Sequence, residues 1–600
     1  MKLIIRKLII RKLITRKLRF ACLAVLVALA LVATACGSDD DDSTPAESTT
    51  TTASPSPVTA SGTPEGTETG GAEPTTPDAG GTEPQETAPP STEPPTAQPV
   101  YGGTLVVGLE AETTSGWNPA TQTCAVACHY VMSAIFDPLF AVDADGNMKP
   151  YLLESATPNE DFSEWTFTLR PNITFHDGTP ADAAALKRHI VESVGGLLTG
   201  IIMRPILGNA EENIEIIDDR SVLIRLTGPV SGFPSIFSAQ ISYLAAPSQY
   251  DLGPDSARKP IGTGPFVFDS WITDDRLIVT KNESYWRTDE QGNSLPYLDS
   301  IIFRPIPDSD SRRLALRSNN LHINNDGSAL NYPDFRDSED FGVLVEEEKL
   351  RETVYVLINN EREPFNDVRA RRAVIMCTDT ELYLQLRAGN NTVISNGPFS
   401  PGTSGYLEDP GYPSYDPDAG RAPWSELEAP GTIALTTTNN PFNRTSTELL
   451  AESWSDCGID VDIDQVDQSQ LISNAIGGNF QLMLWRQHTG VHVEAERVWW
   501  HSDNAQGLAV NFGRIRNDTM DILMDEARLT DDPDELREIA EIINRQFGEQ
   551  AHNIWLNWTL WQMIYANSVR NAGTLTFPDG GLALPLFAGK AYLTETWLDE

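Results

Sequence analysis

The densest collection of side chains able to do chemistry lies in LMLWRQHTGVHVEAERVWWH, from Leu482 to His501. His488, His492, Glu494, Glu496 and His501 are imidazoles and carboxylates, the donor types of a borderline metal ion. On a helix His488 and His492 would share a face. Thr489-Gly490-Val491 between them argues for a loop, where histidines are mostly solvated, so no metal is assigned. Trp485, Trp499 and Trp500 offer flat surfaces for a sugar or another planar ligand, against the competing reading that tryptophans in a large fold fill its core. His176 and Asp177, adjacent in F-H-D-G-T-P, have the types of an acid-base pair. Asp177-Gly178 is also a turn signal between a strand and a helix, and the structural reading is preferred. No G-x-S-x-G, no H-E-x-x-H and no protease-like cysteine and histidine pattern occurs. The chain is therefore read as non-catalytic and without a cofactor.

Such residues need a scaffold. Residues 101–600 exceed the size at which one core keeps growing, so two or more lobes are expected. GGTLVVGL (Gly102 to Leu109), WTFTLR (Trp165 to Arg170), Val222 to Leu226 and Leu277 to Thr280 have the composition and alternation of strands. Helical periodicity runs over 181–194, 368–387, 445–456, 519–528 and 534–547, with Asp532 as N-cap and Pro533 in the first turn of the last. Interleaved strands and helices indicate an α/β fold.

The formal net charge is −42, and the first nineteen residues hold eight lysines and arginines and no acid, so the remainder is more negative still. Such a surface repels nucleic acid, which is excluded as a partner. After Cys36 four cysteines remain, Cys124, Cys128, Cys377 and Cys457. An even number in an exported chain suggests disulfides. Of the three pairings, Cys124 with Cys128 and Cys377 with Cys457 is the simplest, an i,i+4 spacing on a helical turn lying within bridging distance.

The basic stretch followed by the apolar run Phe20 to Ala35 has the order of a secretory signal peptide. The run is shorter than the roughly 20 residues that span a bilayer, an uncleaved anchor being the alternative. Ala33-Thr34-Ala35-Cys36 resembles the lipobox of bacterial lipoproteins, which implies acylation of Cys36 and attachment to the outer face of the cell membrane. An ordinary cleavage site with an incidental cysteine is the other reading. Ser38 to about Pro99 is built of Thr, Pro, Glu, Gly, Ser and Asp without periodicity and reads as a disordered tether, reaching roughly 40–45 Å as a flexible coil.

Several blocks in order resemble the extracellular solute-binding proteins of family 5, the peptide and nickel class that feeds ABC importers. They are FDPLF (Phe136 to Phe140), PYLLES from Pro150, DFSEWTFTLRPNITFHDGTPADA (Asp161 to Ala183), PIGTGPFVFDSW (Pro260 to Trp271), NESYW (Asn282 to Trp286), NNEREPFNDVRARRAV (Asn359 to Val374) and SYDPDAGRA (Ser414 to Ala422). The resemblance implies a two-lobed periplasmic-binding-protein-like fold, type II, with a hinge between the lobes and an extra small subdomain. The implied boundaries are 1–35 signal peptide, 36–100 lipidated cysteine and tether, 101–140 with 247–352 and 560–600 as lobe I, 141–246 as the subdomain and 353–559 as lobe II. GTGPF reads as a turn in which Gly262 and Gly264 adopt backbone conformations closed to other residues; a phosphate loop is excluded because no GK[ST] follows.

The family's peptide binders carry G-W-x-A-D-Y-P-D-P on lobe II, where an acid meets the peptide amine. Here Trp485 matches the tryptophan but the Asp-Tyr-Pro-Asp-Pro run is absent, leaving Glu494 or Glu496 as substitutes. Trp485, Arg486, His488, Glu494, Glu496, Trp499 and Trp500 are the candidate ligand-binding residues. The implied function is capture of a solute, an oligopeptide by default, by a monomer that delivers it to a membrane permease. The alternatives are an oligosaccharide or metal chelate as cargo, a ligand-sensing surface receptor and, last, an enzyme using the same cleft.

Overall fold

The computed structural model describes residues 98–600 apart from Thr114, Thr123, Glu347, Ala429, Thr489 and Glu600. The proposed leader, the lipidation site Cys36 and nearly all of the tether lie outside the described residues. The fold is α/β, with a seven-stranded and a five-stranded sheet forming the two lobes. In the first sheet the order is Phe341–Val345, Gln562–Ala566, Ile323–Asp326, Thr104–Leu109, Ser300–Pro305, Arg276–Lys281, Phe266–Ile272. Thr104–Leu109 occupies the centre because Leu105, Val107 and Leu109 all bury their side chains. It runs parallel to Ser300–Pro305 and to Ile323–Asp326, so its carboxyl end, where Glu110 follows, opens onto a sheet edge of the kind at which ligands bind.

The second sheet has the order Val461–Val466, Ile433–Thr438, Leu482–His488, Glu352–Ile358, Asn553–Trp558. Its central strand LMLWRQH is antiparallel to Glu352–Ile358, with Arg486 opposite Val354. A separate four-stranded antiparallel sheet, Leu153–Pro158, Glu164–Leu169, Ser221–Arg225, Ile214–Ile216, builds its own core around Trp165, Phe167, Phe233 and Phe237.

The chain crosses between the two main sheets twice, after Val345 and after Trp558, and the crossings are bonded to each other. Glu346 N–H donates to Trp561 O at 2.9 Å and Thr559 N–H donates to Glu352 O at 2.9 Å. Trp561 Nε1–H donates to Glu352 Oε2 at 2.7 Å.

The blocks of sequence quoted above meet in space. Asp137 of FDPLF is buried and accepts from Tyr285 Oη at 2.8 Å, Trp286 Nε1 at 2.8 Å and Thr263 Oγ1 at 2.9 Å. These donors come from NESYW and GTGPF. His176 of FHDGTP joins the same knot, its Nε2 lying 3.0 Å from Gly264 O and its backbone N–H donating to Gly262 O at 2.9 Å. Asp177 accepts from Thr179 N at 2.9 Å, closing the turn. His176 and Asp177 thus hold the chain together. Gly262 and Gly264 are needed for a different reason from the one the motif suggests. Neither sits in the left-handed region, but a Cβ on Gly264 would lie 2.6 Å from the Ile135 carbonyl carbon and oxygen. The requirement is close approach of two backbones.

The periodic stretch 368–387 is two helices, Val368–Met376 and Thr380–Ala388. Asp379 starts the second by accepting from Leu382 N at 2.9 Å, a local cap that periodicity does not register. Cys377, at the break, is bridged to Cys457 just beyond Pro441–Ser455, and Cys124 is bridged to Cys128. Only Cys128 lies on a helix, Val126–Ile135, with Cys124 just ahead of it.

Candidate functional site

The floor between the two lobes is set by the crossings. Trp561 is fully buried there and its indole both donates to Glu352 and carries the Arg486 guanidinium over its ring at 4.6 Å. Arg486 Nε lies 3.1 Å from Glu352 Oε2, and its Nη2 donates to Glu110 Oε1 at 3.0 Å. Glu110 belongs to the first sheet's lobe and Arg486 to the second's, so this ion pair spans the lobes. A planar cation stacked on an aromatic and forked between two carboxylates is a geometry that lysine does not reproduce.

Further charges surround it. Burial, and then the neighbouring Glu352 carboxylate, push the Glu346 carboxyl up to about 8. Burial pulls Lys590 down to about 8, against the pull of Glu352 and Glu346. The Lys590 ammonium donates to Ser238 O at 3.1 Å and rests 4.3 Å from the Phe587 ring centre. Beside it a crevice of about 30 Å³ is lined by residues including His129, Phe237, Tyr243, Phe587 and Tyr592, room for about two water molecules.

The second wall comes from 482–500. Trp485 and Trp499 are partly buried and pack against Phe512, with ring centres at 5.3 and 5.4 Å. Trp500 is 6% exposed and packs against Phe399 and Phe547, which makes it a core residue with almost no surface for a ligand. His488 ends its strand, while His492 precedes Val493–Trp500 and caps it, Nδ1 accepting from Glu494 N at 3.0 Å. One histidine ends a strand and the other caps a helix, so they do not share a helix face. Among the described residues no group of three metal-ligating side chains converges. Glu494 is taken by Arg528, whose Nε donates to its Oε2 at 2.8 Å.

Glu496 stands apart. Its Oε1 accepts from Gly490 N, while its Oε2, like the nearby Gln487 Nε2, is buried with no partner among the described residues. Tyr355 Oη donates to Gln487 Oε1 at 3.1 Å. Burial pushes the Glu496 carboxyl up to about 8. A carboxyl whose folded pKa lies above its unfolded one stabilises the fold at low pH and loses that contribution as pH rises through the folded value. The Tm of Glu496→Gln minus that of the wild type should therefore climb between about pH 4.5 and 8 and level off above. Scanning calorimetry across that range checks it, and a flat difference would mean that the carboxyl is solvated.

Val491 and His492, just ahead of Val493–Trp500, touch the opposite side. Val491 packs against the cluster of Leu350, Leu584 and Phe587, and His492 lies against Gly232 beside the four-stranded sheet. Ser231 N–H donates to Arg528 O at 3.0 Å.

Glu110, Glu346, Glu352, Trp561 and Lys590 carry no pattern that singles them out in sequence. A weak signal exists for Glu352 and for Arg486: a charge at the edge or inside an apolar strand, as in RETVYVLI and LMLWRQ, requires a buried partner.

The profile of the bacterial extracellular solute-binding proteins, family 5 Middle, matches residues 147–507. The glutathione-binding protein GsiB of Salmonella paratyphi A is 24% identical over 475 residues, covering 76% of this chain and 88% of that one. Among solved structures, DppA from Helicobacter pylori in complex with the peptide STSA superposes with a TM-score of 0.72 at 19% identity, covering 84% of this chain and 99% of that one. AppA from Bacillus subtilis, in complex with a nonapeptide, gives 0.70 at 19% identity, covering 84% and 100%.

Proposed function

Because the chain belongs to the bacterial extracellular solute-binding proteins of family 5, which serve ABC importers, we propose that it captures a peptide-like solute between its lobes and delivers it to a membrane permease. In this reading the protein is a monomer held to the outer face of the cell membrane through lipid on Cys36, with 36–100 as its tether. The lobes correspond to 101–140, 247–352 and 560–600 on one side and 353–559 on the other, with 141–246 as a subdomain of the first. Arg486 is the ligand-facing charge, with Trp485 and Trp499 as the aromatic wall and Glu496 buried behind them.

The observation that carries the reading is the meeting of Glu110, Glu352 and Arg486 at the place where the lobes face each other, with Lys590 and Glu346 beside them. A floor bearing both signs of charge suits a ligand that does the same. A glutathione-binding relative and peptide-bound structural neighbours agree with this chemistry. Closure around such a ligand shifts an equilibrium between open and closed forms by the ligand's preference for the closed one.

The test is mass spectrometry of what the natively purified protein releases on denaturation. Short peptides or peptide-like thiols are the expected result. A sugar or a metal chelate would overturn the peptide assignment and leave the importer role standing.

A further inference from the structure

We infer that the lobe of the second sheet carries a separate binding site, away from the space between the lobes, for a phosphate monoester dianion. A basin of about 590 Å³ is lined by Arg362, Arg514 and Arg516, with Glu361 as the one carboxylate of that lining among the described residues. It lies beyond the end of Glu352–Ile358 that is remote from the crossings, since Glu361 and Arg362 follow that strand and Gly478 precedes Leu482, the residue paired with Ile358. The length of that strand sets the basin about 20 Å from Glu352.

The three cations are held by different means. Arg514 is 5% exposed, and its Nη2 donates to Ile476 O at 2.7 Å, while Arg362 Nη2 donates to Gly478 O at 3.0 Å. Both carbonyls belong to the C-terminal end of the helix Gln468–Gly477, a place that favours positive charge. That accounts for the position of the two arginines and not for their charge, because a helix end carries only about half a negative charge. Arg516 Nε donates to Glu361 Oε1 at 2.8 Å. Neither Arg362 nor Arg514 has a carboxylate within ion-pair distance among the described residues. Three guanidiniums against one carboxylate and one helix end leave a surplus of about 1.5 positive charges, in a chain whose net charge is −42. Burial pulls the Arg514 guanidinium below its ordinary range; Glu361 opposes this, and Arg516 and Arg362 add to it, as like charges gathered at one place do. Arg514 also has φ +53°, in the left-handed region that residues other than glycine seldom adopt. A Cβ on Gly478 would lie 2.9 Å from Arg514 Nε, so glycine leaves room beside that edge. A dianion nearly cancels the surplus and a monoanion leaves part of it. The planar forks of arginine match phosphate oxygens. The basin has room for a phosphate together with its substituent, whether a soluble ester or the headgroup of phosphatidic acid.

The experiment is isothermal titration calorimetry of the full-length protein with glycerol 3-phosphate and, at the same ionic strength, with dimethyl phosphate, a monoanion. Glycerol 3-phosphate should bind at least about tenfold more tightly. Arg514→Gln and Arg362→Gln should each weaken it by at least about tenfold. Glu361→Gln should tighten it by about threefold, because Arg516 is released toward the ligand, a gain that a merely structural role for these residues does not produce. Arg276→Gln, an exposed arginine of the other sheet, should leave it unchanged. Thermal unfolding of each variant controls for folding, and Arg362, an exposed residue, keeps the test decisive if the Arg514 variant misfolds. Sedimentation with phosphatidylcholine vesicles, with and without phosphatidic acid, separates the two sources. Retention by the acidic vesicles that glycerol 3-phosphate competes away assigns the lipid headgroup, and binding of the soluble ester alone assigns a free ester. Equal binding of the two phosphates overturns the assignment of a dianion, and binding that the arginine variants leave intact overturns the site. Vesicle retention that the ester does not compete, or no binding to either, overturns it as well, and none of these results touches capture of a solute between the lobes.

Discussion

Replacing Gly232 with alanine should leave each lobe folded and weaken capture of the solute by about 30- to 100-fold. Gly232 has φ −86°, a conformation any residue adopts, so the backbone does not require glycine. What requires it is the neighbour across the cleft, since a Cβ would lie 2.5 Å from His492 Cε1 and 2.8 Å from its Cγ. The imidazole does not swing away freely, because its Nδ1 is held by Glu494 N as the cap of Val493–Trp500. The clash exists only while the two sides touch, so the variant penalises the closed form alone. Small-angle scattering should show the loss of ligand-driven compaction, and calorimetry the loss of affinity, with the melting temperature of the unliganded protein nearly unchanged. His492→Ser keeps a side chain that caps helices well and removes the ring. Adding it to Gly232→Ala should restore most of the affinity, and failure of that rescue would locate the defect elsewhere.

The largest effect on stability is expected at Asp137. Asp137→Ala strips the acceptor from Tyr285, Trp286 and Thr263 at once, in a site with no access to water. Each buried donor left alone costs about 1–3 kcal/mol, and a total near about 4 kcal/mol allows for shared relaxation. Asp137→Asn should be far milder. Trp286 and Thr263 both use Oδ2, which the amide oxygen can replace, while the amide nitrogen would face Tyr285, whose hydroxyl can turn toward Tyr151 Oη at 3.3 Å. Urea denaturation at neutral pH distinguishes the two. Equal destabilisation by both variants would show that the negative charge, rather than the acceptor geometry, holds the knot.

That knot also shows which parts of the fold were legible. FDPLF, GTGPF and NESYW stand out as separate blocks, yet their convergence on Asp137 involves residues up to 149 positions apart, which no local pattern encodes. Local signals performed well where the cause is local. Asp532 caps Pro533–Gln550 by accepting from Asp534 N and Glu535 N, and Asp177 closes the turn read at Asp177-Gly178. The helix expected over 368–387 broke because capping at Asp379 outweighs an unbroken apolar period. At the candidate site the legible part was the segment 482–500. Of its members, Trp500 went to the core and Glu494 to Arg528, while Glu110, 376 residues from Arg486, had no signal at all. A site assembled from two lobes is invisible to any window shorter than the distance between them.

The two crossings have a mechanical consequence. A single connecting strand would let one lobe swivel about the chain as well as hinge. Two straps bonded edge to edge through Glu346, Glu352, Thr559 and Trp561 behave as a flat flexure, compliant to bending out of their plane and stiff to torsion and in-plane sliding. The lobes then share one soft coordinate, and every closed molecule presents the same relative orientation of its two outer faces. A transporter that must contact both faces together meets a single shape, and molecules still open fail by angle alone.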